Sequence, residues 1–308
     1  MFVSRAGLFI LIAIGSVAAL AQSTPPGTPA FAPITGEPAK HLDNAHVVTA
    51  KVISGAQPDD EAAFAALQQL GIRTIVSVDG AKPNFELARK YGMRYVHLPI
   101  GYDGVTEAQG LAIAKALDEL PGPIYIHCHH GKHRSAAAVA VACVYNGTLR
   151  PDQAEAVLNA FGTGTNYIGL WKAARDARPI DARRINSLEI EFVEVQPIGE
   201  LAETMVAIDQ RLDHLKLAKE SGWRAPMNHP DIDPPHEALQ LQEHLHEIGR
   251  LEEAQSRPAE FRRLLNASDE ASQSLTQALR SPLNADGINA AFDRVNNSCT
   301  ACHKAFRD

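Results

Sequence analysis

Hydrophobic and polar positions change rhythm three times along this 308-residue chain. MFVSR is a short basic start, and AGLFILIAIGSVAAL is an apolar run of about fifteen residues, short of a membrane span. Ala19-Leu20-Ala21 then supplies a small-x-small cleavage pattern, which predicts a secretory signal over residues 1–21; the alternative is an uncleaved N-terminal anchor. Residues 22–45 include STPPGTPAFAPITGEP, whose Pro, Gly and Ser content predicts a flexible lead-in. From residue 46, short β-rich runs alternate with helical stretches. IRTIVSV (72–78), MRYVHL (93–98) and PIYIH (123–127) predict strands, the last fully buried. Between and after them, residues 59–70, 84–91, 106–120, 135–145 and 152–161 predict helices, and the Thr106/Gln109 spacing predicts a capping box. Such alternation implies an α/β unit over residues 46–178 with a central, mostly parallel sheet.

Near residue 178 both periods disappear. ARPIDARRINSLEIEFVEVQP marks a boundary, and residues 179–198 read as a linker. Beyond it the strand signals vanish. Leu201, Met205, Ile208, Leu212 and Leu215 recur at helical spacing, as do Ala238, Leu241, Leu245 and Ile248. Residues 261–279 form a third such segment, and Ile288, Phe292, Val295, Cys299, Cys302 and Phe306 a fourth. Residues 199–308 therefore predict an all-α four-helix bundle.

Composition narrows the functions. A 45% hydrophobic content suffices for two modest domains. The net charge of −7 is uneven: residues 22–178 carry 14 Lys and Arg against 14 Asp and Glu, whereas residues 199–308 carry 12 against 18. No basic tract suggests nucleic acid as a partner, and no second apolar segment predicts a stable membrane span after cleavage. Export implies the periplasm, an oxidising compartment, but four unevenly spaced cysteines do not make a disulfide framework. Cys143, in the apolar stretch AAAVAVACVYN, reads as a core residue.

The other cysteines lie in two constellations. HCHHGKHRS (127–135) stands between a predicted buried strand and a predicted helix start. A loop there aims successive backbone N–H groups at one point, and the helix dipole adds positive potential, so it suits a tetrahedral oxyanion. The loop amides of His129, His130, Gly131, Lys132 and His133 would line the site, and Gly131 allows close approach of the backbone. Arg134 can fork two hydrogen bonds to the anion, and the same field favours Cys128 as a thiolate nucleophile. A nucleotide-binding loop of the GxxxxGK[ST] type fails, because Ile126 and His133 occupy key positions. A metal site built on the histidines stays open, although adjacent His129 and His130 are expected to project apart, and so does a solvated loop without function.

HCHHGKHRS resembles the HCxxGxxR[ST] signature of cysteine-dependent protein tyrosine and dual-specificity phosphatases, and the similarity extends over most of residues 50–175. The resemblance implies a phosphocysteine intermediate on Cys128, transition-state binding by Arg134, a Ser135 hydrogen bond to the departing thiolate, and a role for His127 in tuning that thiol. It also implies a general acid, for which Asp103 in PIGYDGVT is the natural choice over Asp118; the alternative for Asp103 is a turn-forming Asp-Gly. No aromatic recognition loop of the tyrosine-specific kind is present, which implies a shallow, dual-specificity-like pocket for a phosphorylated protein or small phosphoester.

CTACH (299–303) is a c-type haem attachment pattern. On a helix Cys299, Cys302 and His303 share one face, so two thioethers can hold one haem c while the imidazole reaches the iron. CTACHKAFR on the last helix resembles the cytochrome c′ family over roughly residues 199–308. LAETMVAIDQRLDHLK resembles the first helix of related cytochromes in which a methionine is the sixth ligand, which implies Met205 for the haem iron; the alternative is that Met205 only packs over an open iron face. Together these features suggest an exported phosphatase joined to a haem domain that senses redox state or a diatomic gas. The alternative is an electron-transfer or gas-binding cytochrome, served by a periplasmic redox partner, whose α/β unit only binds oxyanions.

Overall fold

A computed structural model describes residues 31–281 and 284–306. The predicted signal over residues 1–21 lies outside the described residues.

The α/β unit is organised around a strand that has no polar face. In β5 (Ile124–Cys128) every residue is buried, as continuous apolar runs in parallel sheets require. It lies centrally in a five-stranded sheet of order β1-β2-β5-β3-β4, between β2 (Val52–Ala56) and β3 (Thr74–Ser77). Strands β2, β5, β3 and β4 (Arg94–His97) run parallel, and β1 (His46–Thr49) is antiparallel at one edge. The β1–β2 hairpin carries little alternation and was not evident from pattern. Its Gly55 is required by packing, since a Cβ there would stand 2.4 Å from the Tyr125 hydroxyl and 2.9 Å from the Ala45 Cα.

Helices cover both faces: α1 (Glu61–Gln69), α2 (Phe85–Lys90), α3 (Glu107–Glu119), α4 (Arg134–Tyr145), α5 (Ala154–Phe161) and α6 (Ile168–Asp176). The predicted capping box starts α3: Thr106 Oγ1 accepts from the Gln109 amide at 3.3 Å and the Thr106 amide donates to Gln109 Oε1 at 2.9 Å. In α4 every residue from Arg134 to Val144 is buried, because its small alanines let α3, α5, α6 and the sheet pack closely around it. Cys143 is in this core, and burial pushes its thiol up to about 12.

Two predicted flexible segments belong to the fold. The lead-in expected over residues 22–45 is corrected from residue 31 onward: Phe31, Leu42 and Ala45 are buried, Pro33 bridges to His46, and Glu37–Lys40 form a 3-10 turn. The linker expected over residues 179–198 is a strap packed on the α/β unit. It contains α7 (Ala182–Asn186), buries Ile185, and runs beside β4, where the His97 amide donates to the Val193 carbonyl at 3.0 Å. The Gln196 amide donates to His97 Nδ1 at 3.0 Å.

The C-terminal unit is built from α8 (Glu200–Glu220), α9 (Pro234–Ile248), α11 (Ala259–Arg280) and α12 (Ala285–Phe306), with a short α10 (Glu252–Ser256) between the second and third. Leu201, Ile208, Leu215, Leu241, Leu245, Phe261, Leu265, Ile288, Phe292 and Val295 form one apolar core, as the helical spacing predicts. Residues without any strand signal thus form a second, purely helical layer.

His127 on β5 is a buried polar group with a measurable cost. Burial holds the Tyr95 phenol protonated, so its O–H donates to His127 Nε2. Burial also pushes the His127 pKa down to about 4, from 6.5. The folded protein therefore resists binding a proton that the unfolded chain takes up below pH 6.5, and stability falls as pH drops from about 6.5 towards 4. The loss attributable to this residue is on the order of 3 kcal/mol. Urea unfolding at pH 7 and pH 4.5 should show this decline, and His127→Gln should flatten it; an unchanged slope would assign the acid sensitivity elsewhere.

Candidate functional site

Cys128 ends β5, at the C-terminal edge of the sheet where open α/β folds bind ligands. The chain then turns through residues 129–133 into α4, whose first residue is Arg134. This turn needs Gly131: its φ is +67°, and a Cβ there would stand 2.3 Å from the backbone of Gly55 and Ala56. The turn is fixed from outside by Asn44, which donates to the Gly131 carbonyl at 3.0 Å, and by Thr163, which donates to the Lys132 carbonyl at 2.5 Å. His133 caps α4 without a side-chain cap bond and packs on Tyr167, with ring centroids 4.2 Å apart.

Cys128 is buried, with its Sγ 3.4 Å from Ser135 Oγ, so the hydroxyl can donate to the sulfur once the thiolate forms. Arg134 is buried as well. Its Nη2 donates to Asp79 Oδ2 at 2.9 Å, and its guanidinium lies over the Tyr102 ring at 4.4 Å. Its Nε has no hydrogen-bond partner among the described residues. A buried donor left over in this way is rare in native proteins and calls for an acceptor.

Asp79 was missed in the sequence, and it organises the site. It follows β3 and is 1% exposed. Its Oδ2 accepts from both Arg134 and the His129 amide, and its Oδ1 accepts from the Ala81 amide at 3.0 Å. Burial opposes its charge, but the Arg134 guanidinium and the amide bond outweigh this and hold the carboxyl below its usual range. Its position at the C-terminal end of a parallel strand beside the loop was the available signal.

The expected oxyanion lining is corrected at His129, whose amide is committed to Asp79. The side chains of His129 and His130 do not diverge either. Their rings stand 4.3 Å apart and both face α8: His129 Nε2 is 3.0 Å from Asp213 Oδ2, and His130 Nε2 is 3.7 Å from the same atom. The Asp213 hydrogen bond outweighs burial and raises the His129 pKa, while burial lowers that of His130. Lys132 points to solvent. His127 is neutral near pH 7, so it positions the loop from below and supplies no positive charge to Cys128.

Asp103 lies exposed on the loop that follows β4, one residue after Tyr102, whose ring lies over Arg134. Two glycines make room for it. A Cβ on Gly101 would stand 2.3 Å from Asp103 Oδ1, and one on Gly169 would stand 2.0 Å from the Asp103 carbonyl. Tyr102 also stacks on Tyr167 at 5.2 Å, which ties this loop to α6. Asp118 is remote from the loop, accepting from Asn146 at 2.9 Å on α3.

In the bundle, Cys299, Cys302 and His303 lie on one face of α12 and line a cavity of about 490 Å³, within the range of roughly 300–1,000 Å³ usual for cofactor sites. Met205 of α8 borders the same cavity, as do Leu245, Phe261, Leu265 and Phe306. Burial pushes the Cys299 thiol up to about 11 and raises that of Cys302, opposite to the lowered values of redox dithiols. This apolar, sulfur-flanked space with an imidazole and a thioether fits a haem. Its wall continues into the α/β unit, through Gly80, Tyr102 and Arg134.

Comparisons with known proteins find similarity in both regions of the chain. The N-terminal region is similar to TpbA of P. aeruginosa, at 23% identity over 51% of this chain and 95% of that one, with a TM-score of 0.41. It is also similar to the catalytic domain of the PP-IP phosphatase SIW14 of S. cerevisiae, at 14% identity over 47% of this chain and 92% of that one, with a TM-score of 0.41. A beta-lactamase hydrolase-like protein of Xylella fastidiosa is 30% identical over 128 residues, which are 39% of this chain and 29% of that protein. The chain thus spans less than a third of the length of the curated relatives it matches. Residues 249–307, within the C-terminal bundle, match the family model described as Cytochrome C′.

Proposed function

We propose that the α/β unit hydrolyses phosphomonoesters through Cys128 and that the bundle carries one covalent haem c. One observation carries the first half: a buried cysteine at the base of an amide-lined turn, with the orphaned Nε of Arg134 beside it. A phosphoryl group placed there meets a nucleophile and a cation that already occupies its final position. Cys128 Sγ attacks phosphorus while the ester oxygen leaves, forming a phosphocysteine. Arg134 holds the equatorial oxygens as charge spreads over them, with Asp79 fixing the guanidinium from behind. Asp103 donates the proton taken by the leaving oxygen, and Ser135 stabilises the thiolate when water releases phosphate. A phosphorylated side chain or a small phosphoester would be the substrate.

In the bundle, Cys299 and Cys302 would form the thioethers, His303 would bind the iron, and Met205 would face it from α8. Such a group supplies electron transfer or binding of a diatomic gas. The shared wall at Arg134 and Tyr102 supports a sensing role, in which the haem state alters the phosphatase site. Export to the periplasm is part of the same reading and rests on the apolar N-terminal run.

Three outcomes test this reading. Cys128→Ser in the full chain should abolish turnover of an aryl phosphate and leave the haem absorption spectrum unchanged; near-wild-type turnover would end the cysteine mechanism. Asp103→Asn should lower kcat by roughly 10²–10⁴ and remove the limb of the pH–rate profile that needs a protonated acid. Met205→Ala should convert a low-spin spectrum into a high-spin one that binds carbon monoxide readily, with haem still covalently attached. A wild-type protein that is already high-spin would mean that Met205 only packs beside the iron.

A further inference from the structure

The two histidines that turn away from the oxyanion site meet a different unit of the protein. His129 and His130 belong to the loop of the α/β unit, whereas Asp209 and Asp213 belong to α8 of the bundle. We propose that His129, His130 and Asp213 form a site for a divalent transition-metal ion of the Zn²⁺ class, bridging the two units.

Geometry is the first argument. One ligand atom from each of the three residues lies within 4.8 Å of the others. Zinc bonds to imidazole nitrogen and carboxylate oxygen are about 2.0–2.2 Å, so tetrahedral neighbours stand about 3.3–3.5 Å apart. The observed separations of 3.0 and 3.7 Å from Asp213 Oδ2 to the two imidazoles bracket that value. His130 gives the second argument. Its Nε2 is aimed at two carboxylates, at 3.7 Å from Asp213 and 3.9 Å from Asp209, both too long for hydrogen bonds. An ion between them would satisfy all three groups, with Asp209 or water as the fourth ligand.

The chemistry of the donor set is the third argument. Two imidazoles and a carboxylate suit zinc and its neighbours in the first transition row rather than calcium or magnesium. Lys216 Nζ donates to Asp213 Oδ1 at 2.7 Å, which orients the carboxylate and leaves Oδ2 towards the histidines. His129, His130 and Asp213 are 24%, 42% and 27% exposed, so an ion can enter without rearrangement of the core. Each unit supplies at least one ligand. A bound ion would therefore pin α8 against the loop that carries Cys128 and Arg134. The site uses neither of these residues and stands independently of the phosphatase reading.

The test uses the full-length haem-loaded protein, treated with a chelator and titrated calorimetrically with ZnCl₂, in wild type and in Cys128→Ser. One equivalent should bind in both, and zinc X-ray absorption should show imidazole scattering with zinc–ligand bonds of about 2.0–2.1 Å. Loss of a residue that only hydrogen-bonds a ligand costs about 10–100-fold in metal affinity, so Asp213→Asn and His130→Gln, which remove a ligand, should each weaken binding by at least about 10-fold. An unchanged haem spectrum and circular dichroism would show that each variant is folded. Absence of saturable binding, binding that disappears in Cys128→Ser, or full affinity in folded Asp213→Asn would each overturn the bridging site.

Discussion

The buried Asp79–Arg134 ion pair is the interaction on which the N-terminal site depends. Neither residue is tolerable alone in that position, since an unpaired charge left in such an interior typically costs about 3–5 kcal/mol. Together they join β3 to the start of α4, and through the His129 amide they also set the loop between β5 and α4. The pair leaves Arg134 charged and immobile, with its Nε still available for an incoming oxyanion. An arginine free in solution would have to be ordered when an anion arrives. Here the ordering is completed during folding.

This arrangement also explains why the loop is narrow in its tolerances. Below it, neutral His127 is bonded to Tyr95 and cannot be charged without loss of stability. Behind it, Gly131 lies against the backbone of β2. Above it, Tyr102 covers Arg134 and carries Asp103 on the next position. Core packing, a backbone conformation and a cation–π contact therefore meet within a few residues of one sulfur. The geometry of the loop and the stability of the fold share the same groups.

The bundle is not a passive appendage to this site. Its first helix presents Asp209 and Asp213 to the loop histidines, and the cavity that suits a haem shares a wall with Tyr102 and Arg134. The strap over residues 179–198 contributes by packing along β4 instead of swinging free, which limits how far the units can move apart. Part of the acidic balance of residues 199–308 is counter-charge for this contact.

The sequence alone determined the features with short periods and local chemistry. Alternation and helical spacing located β3, β4, β5, the α/β helices α1 to α5 and the four main bundle helices. HCHHGKHRS and CTACH located the two reactive constellations, because a loop at a strand end and one face of a helix are defined by neighbours in the chain. What it left undecided depends on residues far apart. Asp79 and Arg134 are separated by 55 positions, and His129 and Asp213 by 84, so no period or motif connects them. The lead-in and linker looked flexible because their composition is poor in periodic apolar residues, yet Phe31 and Ile185 bury themselves in a surface made by other segments. His129 and His130 were expected to diverge as neighbours do on a regular element. The loop has no such regularity, and only the tertiary fold, by bringing α8 against it, decided that both rings face the same carboxylate.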